Sequence, residues 1–259
     1  GIEIASTATL TVVAGTVITI AAGKNVVINS NVFIRGTSDK PIQFINDGSG
    51  LFGSITITKQ VARTTFTSDG SYQSGSFISY VQVIGGGASS DAGLIIESPI
   101  LLQHVVVENC SSVGIFASNG IYLQNSTLTN NGLKISDDSV GTVEIVNTGV
   151  TVTDGRVACA VDIVSQSGLK ISGNTIHGNS CAGKIVSGSG TVTIENNSWN
   201  ADNGFGLSVD LDADSDNIAV ISGNQVTGTT DALLIKQLRD SVVIVSGNVI
   251  SGSGQTKSS

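Results

Sequence analysis

The sequence predicts an all-β solenoid: a coil of about ten stacked rungs with little or no helix, running through residues 1–259 as a single domain. Three observations carry this reading. One phrase returns four times in the last third, as Ile171-Ser-Gly-Asn174-Thr-Ile176, Ile194-Glu-Asn-Asn197-Ser-Trp199, Ile221-Ser-Gly-Asn224-Gln-Val226 and Val245-Ser-Gly-Asn248-Val-Ile250, with its asparagines 23, 27 and 24 residues apart. Recurrence at that interval marks stacked units that each bury a face against their neighbours. Apolar residues alternate over short runs and nowhere follow a helical period. Charged residues make up 12% of the chain, against about 25% in an ordinary soluble domain. Gly is abundant (32) and Pro scarce (2). β-branched side chains suit a pleated surface, and Gly and Asn suit turns with positive φ.

Residues 1–48 open with alternation, Leu10, Val12, Val17, Ile18 and Ile20 being set among Thr9, Thr11, Thr16 and Thr19. Asn25-Val-Val-Ile28, Val32-Phe-Ile34 and Lys40-Pro-Ile-Gln-Phe-Ile45 follow, and Pro41 belongs at a bend or an edge. Residues 49–98 are less regular. Ser54-Ile-Thr-Ile-Thr58 and Phe77-Ile-Ser-Tyr-Val-Gln-Val-Ile84 read as strands, and the polar segment 59–75 between them reads as a loop leaving the coil. Residues 99–259 form the regular part, with rungs starting near Leu101, Ile121, Thr142, Leu169, Thr191, Ile218 and Val242, at intervals of 20, 21, 27, 22, 27 and 24. The longer rungs hold inserted turns near Asp154-Gly155 and Asp202-Asn203-Gly204.

The recurring Asn174, Asn197, Asn224 and Asn248 are candidates for a ladder of side chains hydrogen-bonded from rung to rung. Val107-Glu-Asn109, Leu123-Gln-Asn125 and Val146-Asn147 extend the pattern upstream. The competing reading is that Asn is there because it tolerates a left-handed bend. Both readings are structural and neither marks an active site.

Net charge is −8 with no cluster of Lys or Arg, which argues against nucleic acid or an anionic membrane as partner. No run of about 18 apolar residues is present to insert in a bilayer. The chain starts at Gly and contains no Met, so a processed precursor with a removed export signal is expected, placing the protein outside the cell or on its surface. Three sequons, at Asn109, Asn125 and Asn196, are candidate glycosylation sites, although such triplets also arise by chance. Cys159 and Cys181 lie 22 residues apart, close to one rung, so they can stack within disulfide range or sit as two reduced thiols. Cys110 has no partner at that spacing. His104 and His177 lack the paired Cys-x-x-Cys spacing that a zinc site with these cysteines would show.

The apolar-x-x-Asn rungs, with Val113-Gly-Ile115 and Asn119-Gly-Ile121, resemble right-handed parallel β-helix proteins of the pectate-lyase-like superfamily. The opening Gly15-Thr-Val-Ile-Thr-Ile-Ala-Ala-Gly23 and the phrase Gly75-Ser-Phe-Ile-Ser-Tyr-Val-Gln-Val-Ile-Gly-Gly-Gly87 are similar to exported and surface members of that group. The resemblance covers nearly the whole chain and implies a right-handed coil. It also implies carbohydrate work, but the shared residues are those that build rungs, and a fold does not specify an activity.

A lyase of this kind needs outward calcium ligands and an Arg or Lys base, and a hydrolase needs clustered Asp. The best local candidate is Val209-Asp-Leu-Asp-Ala-Asp-Ser-Asp216. In a strand, Leu207, Val209, Leu211 and Ala213 point inward, and Asp210, Asp212, Asp214 and Asp216 form an outer row. Alternate residues are about 6.6–6.8 Å apart, so neighbouring carboxylates can share a calcium ion only if their side chains converge. The alternative is charge pairing with the next rung, Lys236 lying 24 residues past Asp212 with Arg239 close by. Asp154, Arg156 and Asp162 read as a turn salt bridge. Aromatic residues are sparse, at 4%, with Trp199, Tyr72, Tyr80 and Tyr122 among them; tight glycan binding usually stacks sugars on rings. Ice binding needs Thr-x-Thr in register on successive rungs, whereas Thr151-Val-Thr153 and Thr191-Val-Thr193 lack such neighbours.

The final residues Ser251-Gly-Ser-Gly-Gln-Thr-Lys-Ser-Ser259 contain no capping helix, and the first rung begins at Ile2-Glu-Ile4. An open rung is an edge that proteins normally cover, so end-to-end stacking with another copy is expected, the alternative cover being a loop such as 59–75. The function expected on these grounds is that of a non-catalytic structural or adhesive surface protein that assembles into a filament or stalk or contacts extracellular glycans. The alternative is a carbohydrate-active protein, a lyase, hydrolase or calcium-dependent glycan binder, using Asp210–Asp216.

Overall fold

The computed structural model describes residues 1–88, 92–137, 141–211, 218–237 and 241–252. Among them lie thirty short strands and no helix. Twenty-eight of the strands build a parallel β-solenoid of about ten turns, each strand pairing with its counterpart one turn away. Three faces result. Face A is a ten-stranded sheet that begins at Ile2–Ile4 and ends at Leu233–Gln237. Face B runs from Thr9–Val12 to Val242–Ser246, and face C from Val17–Ile20 to Val249–Gly252. In two turns a single long strand, Phe77–Ile84 or Leu101–Glu108, serves faces B and C together.

Alternation explains the core. Successive residues of a strand point to opposite sides, so alternate residues of each face stack into inward aliphatic columns. On face B one such column is Val12, Ile34, Ile78, Leu102, Leu123, Ile145, Ile171, Ile194, Ile221 and Val245. Ile34, Leu102, Leu123, Ile171, Ile194 and Ile221 are fully buried, and each such side chain contributes about 1.5–3 kcal/mol relative to exposure. Face C interrupts its aliphatic column with Phe44 and Trp199. Trp199 fits because Gly183 lies against its ring, where a Cβ would collide with the indole. The indole Nε1 makes no hydrogen bond among the described residues.

The corner between faces B and C is uniform. From Asn125 onward it consists of two residues, the first in a left-handed conformation: Asn125 (φ 50°), Asn147 (50°), Gly173 (67°), Asn196 (56°), Gly223 (64°) and Gly247 (63°). The second residue is a hydrogen-bonding hub. Ser126 Oγ accepts from Val105 N (3.0 Å), and Thr148 Oγ1 from Ser126 N (3.4 Å). Asn174 Oδ1 accepts from Thr148 N (2.7 Å), Asn197 Oδ1 from Asn174 N (2.9 Å), Asn224 Oδ1 from Asn197 N (3.0 Å) and Asn248 Oδ1 from Asn224 N (2.8 Å). The amide nitrogens of Asn174, Asn197 and Asn224 each also donate to the next asparagine's oxygen at 2.9 Å.

Both physical roles for asparagine are therefore present, at adjacent positions. Asn125, Asn147 and Asn196 take the left-handed bend with exposed side chains, and the four recurrent asparagines form the ladder, Asn174, Asn197 and Asn224 buried and Asn248 half-buried. This corrects the upstream extension of the pattern: Ser126 and Thr148, not Asn125 and Asn147, occupy the ladder. Asn109 (φ 55°) lies at the other end of face C. There Asn131 caps the neighbouring turn, its Oδ1 accepting from Cys110 N (3.2 Å) and its Nδ2 donating to Cys110 O and Ser112 O.

Segment 59–75 differs from a simple loop. It carries an antiparallel hairpin, Thr65–Phe66 with Tyr72–Ser74. The hairpin is tied to face B by Thr64, whose N donates to Pro99 O (2.9 Å) and whose Oγ1 accepts from Leu101 N (2.8 Å). It lies on the flank of the solenoid rather than over the first turn or the last described one.

Candidate functional site

The hairpin creates the most distinctive surface of the molecule. Two outward columns run beneath it on face B. One is apolar, Phe33, Phe77, Leu101 and Tyr122 standing in register on successive turns. The other is polar, Arg35, Ser79, Gln103 and Gln124 occupying the same turns two residues on. An outward apolar column is costly in water unless covered, and hairpin rings cover it. Tyr72 meets Phe77 edge to face (5.3 Å between centroids), and Phe66 meets Tyr122 (4.7 Å). Phe33 meets Phe77 at 5.7 Å. Such pairs add about 0.5–1.5 kcal/mol beyond area burial.

At the margin of this aromatic cluster opens a groove of about 290 Å³, lined by Arg35, Gly36, Tyr72, Phe77, Ser79, Tyr80, Leu101 and Gln103. The Arg35 guanidinium carbon lies 4.8 Å from the Phe77 ring centroid. Tyr72 Oη donates to Gly75 O (2.6 Å), which sets the ring at the groove's rim. Tyr80 and His104 stack at 4.3 Å with 16° between their planes. Both hold φ near +50° (51° and 54°), where bulky residues rarely sit. They occupy the B–C bend in the two turns where one long strand passes through it. Strain of this kind collects at functional sites.

Of the chain's seven Phe, three Tyr and one Trp, six residues (Phe33, Phe66, Phe77 and all three tyrosines) gather on this flank. Sparse aromatic content alone therefore understates the local density. The signal in the sequence is the pair Phe33 and Phe77 with the tyrosines nearby, but their register depends on the excursion between residues 58 and 76, whose length hides which rungs are neighbours.

The other candidate residues are dispersed. Asp210 faces outward from face A and lies opposite Lys236, with Nζ 3.8 Å from Oδ2. Lys236 thus pairs with Asp210 on the neighbouring turn. The calcium reading needs Asp212, Asp214 and Asp216, which lie outside the described residues. Among the described residues no three His, Cys, Asp or Glu side chains gather as a metal-ligand group. Arg156 bonds Asp154 within its turn (2.8 Å), whereas Asp162 stands between Lys134 and Lys184 on the outer side of face A. His177 Nε2 meets Asp202 Oδ1 at 2.9 Å in a half-exposed pair. Thr151 sits on face C but Thr191 and Thr193 on face B, so the two Thr-x-Thr phrases do not share a surface.

Cys159 and Cys181 form a disulfide, with Cα atoms 4.4 Å apart. Cys110 stays a buried thiol whose pKa is pushed up to about 11, burial outweighing the backbone N–H groups of Gly86 and Gly85. The sequon residues Asn109, Asn125 and Asn196 are all exposed at bends. The chain matches no protein-family model, no curated protein and no solved structure, so the groove on face B is the feature from which function has to be read.

Proposed function

We propose that the protein is an exported, non-catalytic surface module that holds carbohydrate in the groove on face B, with the solenoid as its rigid support. The observation that carries this reading is the concentration of six aromatic residues beside a shallow groove with a polar second wall. Sugar rings present one apolar C–H face and a rim of hydroxyls, and such a two-walled groove complements both. The lining contains no carboxylate, whereas glycoside hydrolysis ordinarily uses a pair of them, which favours binding over hydrolysis at this groove. The Cys159–Cys181 bond supports an oxidising compartment, and glycans on Asn109, Asn125 and Asn196 fit the same location.

Screening the purified protein against immobilised oligosaccharides tests this directly. Retention of a defined glycan class is expected, with at least a tenfold loss in Tyr72→Ala, which removes a rim ring and its contact with Phe77. Turnover of any polysaccharide, uronans included, would favour the carbohydrate-active alternative instead.

Stacking on another copy is the second part of the proposal. In the first turn Ile2, Val13 and Val17 are exposed, and in the last described turn Val242, Ile244, Val245, Val249 and Ile250 are. Of these, Ile2, Val245 and Ile250 belong to inward columns. Exposed inward-column side chains of this kind are what an added rung would cover.

A further inference from the structure

Resting on the carbohydrate-binding reading, we infer that the groove on face B selects a pyranose bearing an anionic substituent, a carboxylate or a sulfate, with Arg35 as the receptor for that group. Arg35 is the only charged residue lining the groove. It is exposed and makes no ion pair among the described residues. Its guanidinium is held by contact with the Phe77 ring, and that ring is in turn fixed by Phe33 and Tyr72. A guanidinium held against a ring keeps N–H donors for a planar or tetrahedral oxyanion, and it is positioned before the ligand arrives.

The register supplies the rest of the geometry. Arg35, Ser79 and Gln103 are successive members of one column, with neighbouring strands about 4.8 Å apart. The polar wall therefore runs about 10 Å from a cation at one end to an amide at the other. Alongside it run Phe77 and Leu101. With Leu101 and Ser79 buried at the floor, a sugar ring lying against the exposed Tyr72 and the half-buried Phe77 turns its hydroxyls toward Gln103 and its acidic group toward Arg35. The chain's net charge of −8 opposes any anion at long range, but that repulsion is screened beyond about 8 Å at physiological ionic strength, and the contact with Arg35 is local.

The test is calorimetric titration with three oligosaccharides of matched length: a neutral galactan, a galacturonan and a sulfated galactan. At least one of the two acidic ligands should bind about tenfold or more tighter than the neutral one, and which one does so separates carboxylate from sulfate. Arg35→Gln should bring acidic and neutral affinities together, and Arg35→Lys should restore only part of the gap, because an ammonium lacks the fork of donors. Arg35 is exposed, so an unchanged circular dichroism melt is expected of both variants. Equal binding of all three ligands, or an acidic preference that survives Arg35→Gln, overturns the inference and leaves carbohydrate binding standing. Binding of none of these sugars, nor of any glycan in the wider screen, overturns both.

Discussion

At the scale of single residues, the two-residue corner separates asparagines that look alike in sequence. Asn197 Oδ1 accepts from both Asn174 N and Asn174 Nδ2, and its own Nδ2 donates to Ile171 O (3.0 Å). Asn197→Ala leaves these buried groups without partners and should cost about 2–4 kcal/mol in urea unfolding. Asn147→Gly, at an exposed left-handed position, should change stability by less than about 0.5 kcal/mol. Equal effects of the two substitutions would contradict the division of roles. Cys110 gives a prediction in pH. Its folded pKa of about 11 lies above the ordinary value of 9.0. The folded state therefore keeps its proton where the unfolded chain has lost it. The resulting stability is fully present below pH 9.0 and declines as pH rises toward 11. Cys110→Ala should flatten that alkaline decline, and the native thiol should resist iodoacetamide at pH 8 until the protein is unfolded.

At the scale of elements, the disulfide links the segment before face A of one turn to face A of the next, closing a loop across a separation of 22 residues. Cross-linking a loop of that size contributes about 3 kcal/mol through the unfolded chain. Cys159→Ser/Cys181→Ser, or reduction of the parent, should therefore lower the urea midpoint by a corresponding amount. The two elements also show what was legible in advance. Rung boundaries at Leu101, Ile121, Leu169, Thr191, Ile218 and Val242 coincide with strand starts on face B, because apolar alternation and a fixed two-residue bend are local signals. The hairpin and its groove were not legible. Its strands are two and three residues long, and what holds them is tertiary: Thr64 on Pro99 and Leu101, Tyr72 on Phe77 and Phe66 on Tyr122. The acidic stretch was legible only in part, because Asp212, Asp214 and Asp216 lie outside the described residues. Alternation continues through Leu211, and Asp210 meets Lys236 on the next turn, the kind of rung-to-rung charge pairing the sequence suggested.

At the scale of the whole molecule, the inward columns of the three faces make one continuous apolar axis, and among the described residues Ile2, Val245 and Ile250 are exposed at its two ends. Assembly should follow that axis. Light scattering over a concentration series should show association, and Val245→Asp or Ile250→Asp, at half-open positions of the last described turn, should reduce it while leaving the groove's sugar affinity unchanged. Parent protein that stays monomeric throughout would remove the stacking proposal and leave the groove untouched. The faces also differ in how they treat chain length. In the six turns from Asn125 onward, the bend between faces B and C never departs from two residues. The junction from C to A ranges from two residues between Thr129 and Gly132 to eight between Val152 and Val161. Each of those six turns thus has one hinge that tolerates no extra bead and others that accept several. A foreign peptide spliced between Ser187 and Thr191 should be carried outward like cargo on a rail. The same peptide between Gly173 and Asn174 should cut the hydrogen-bonded seam, and the turns on either side would lose their alignment.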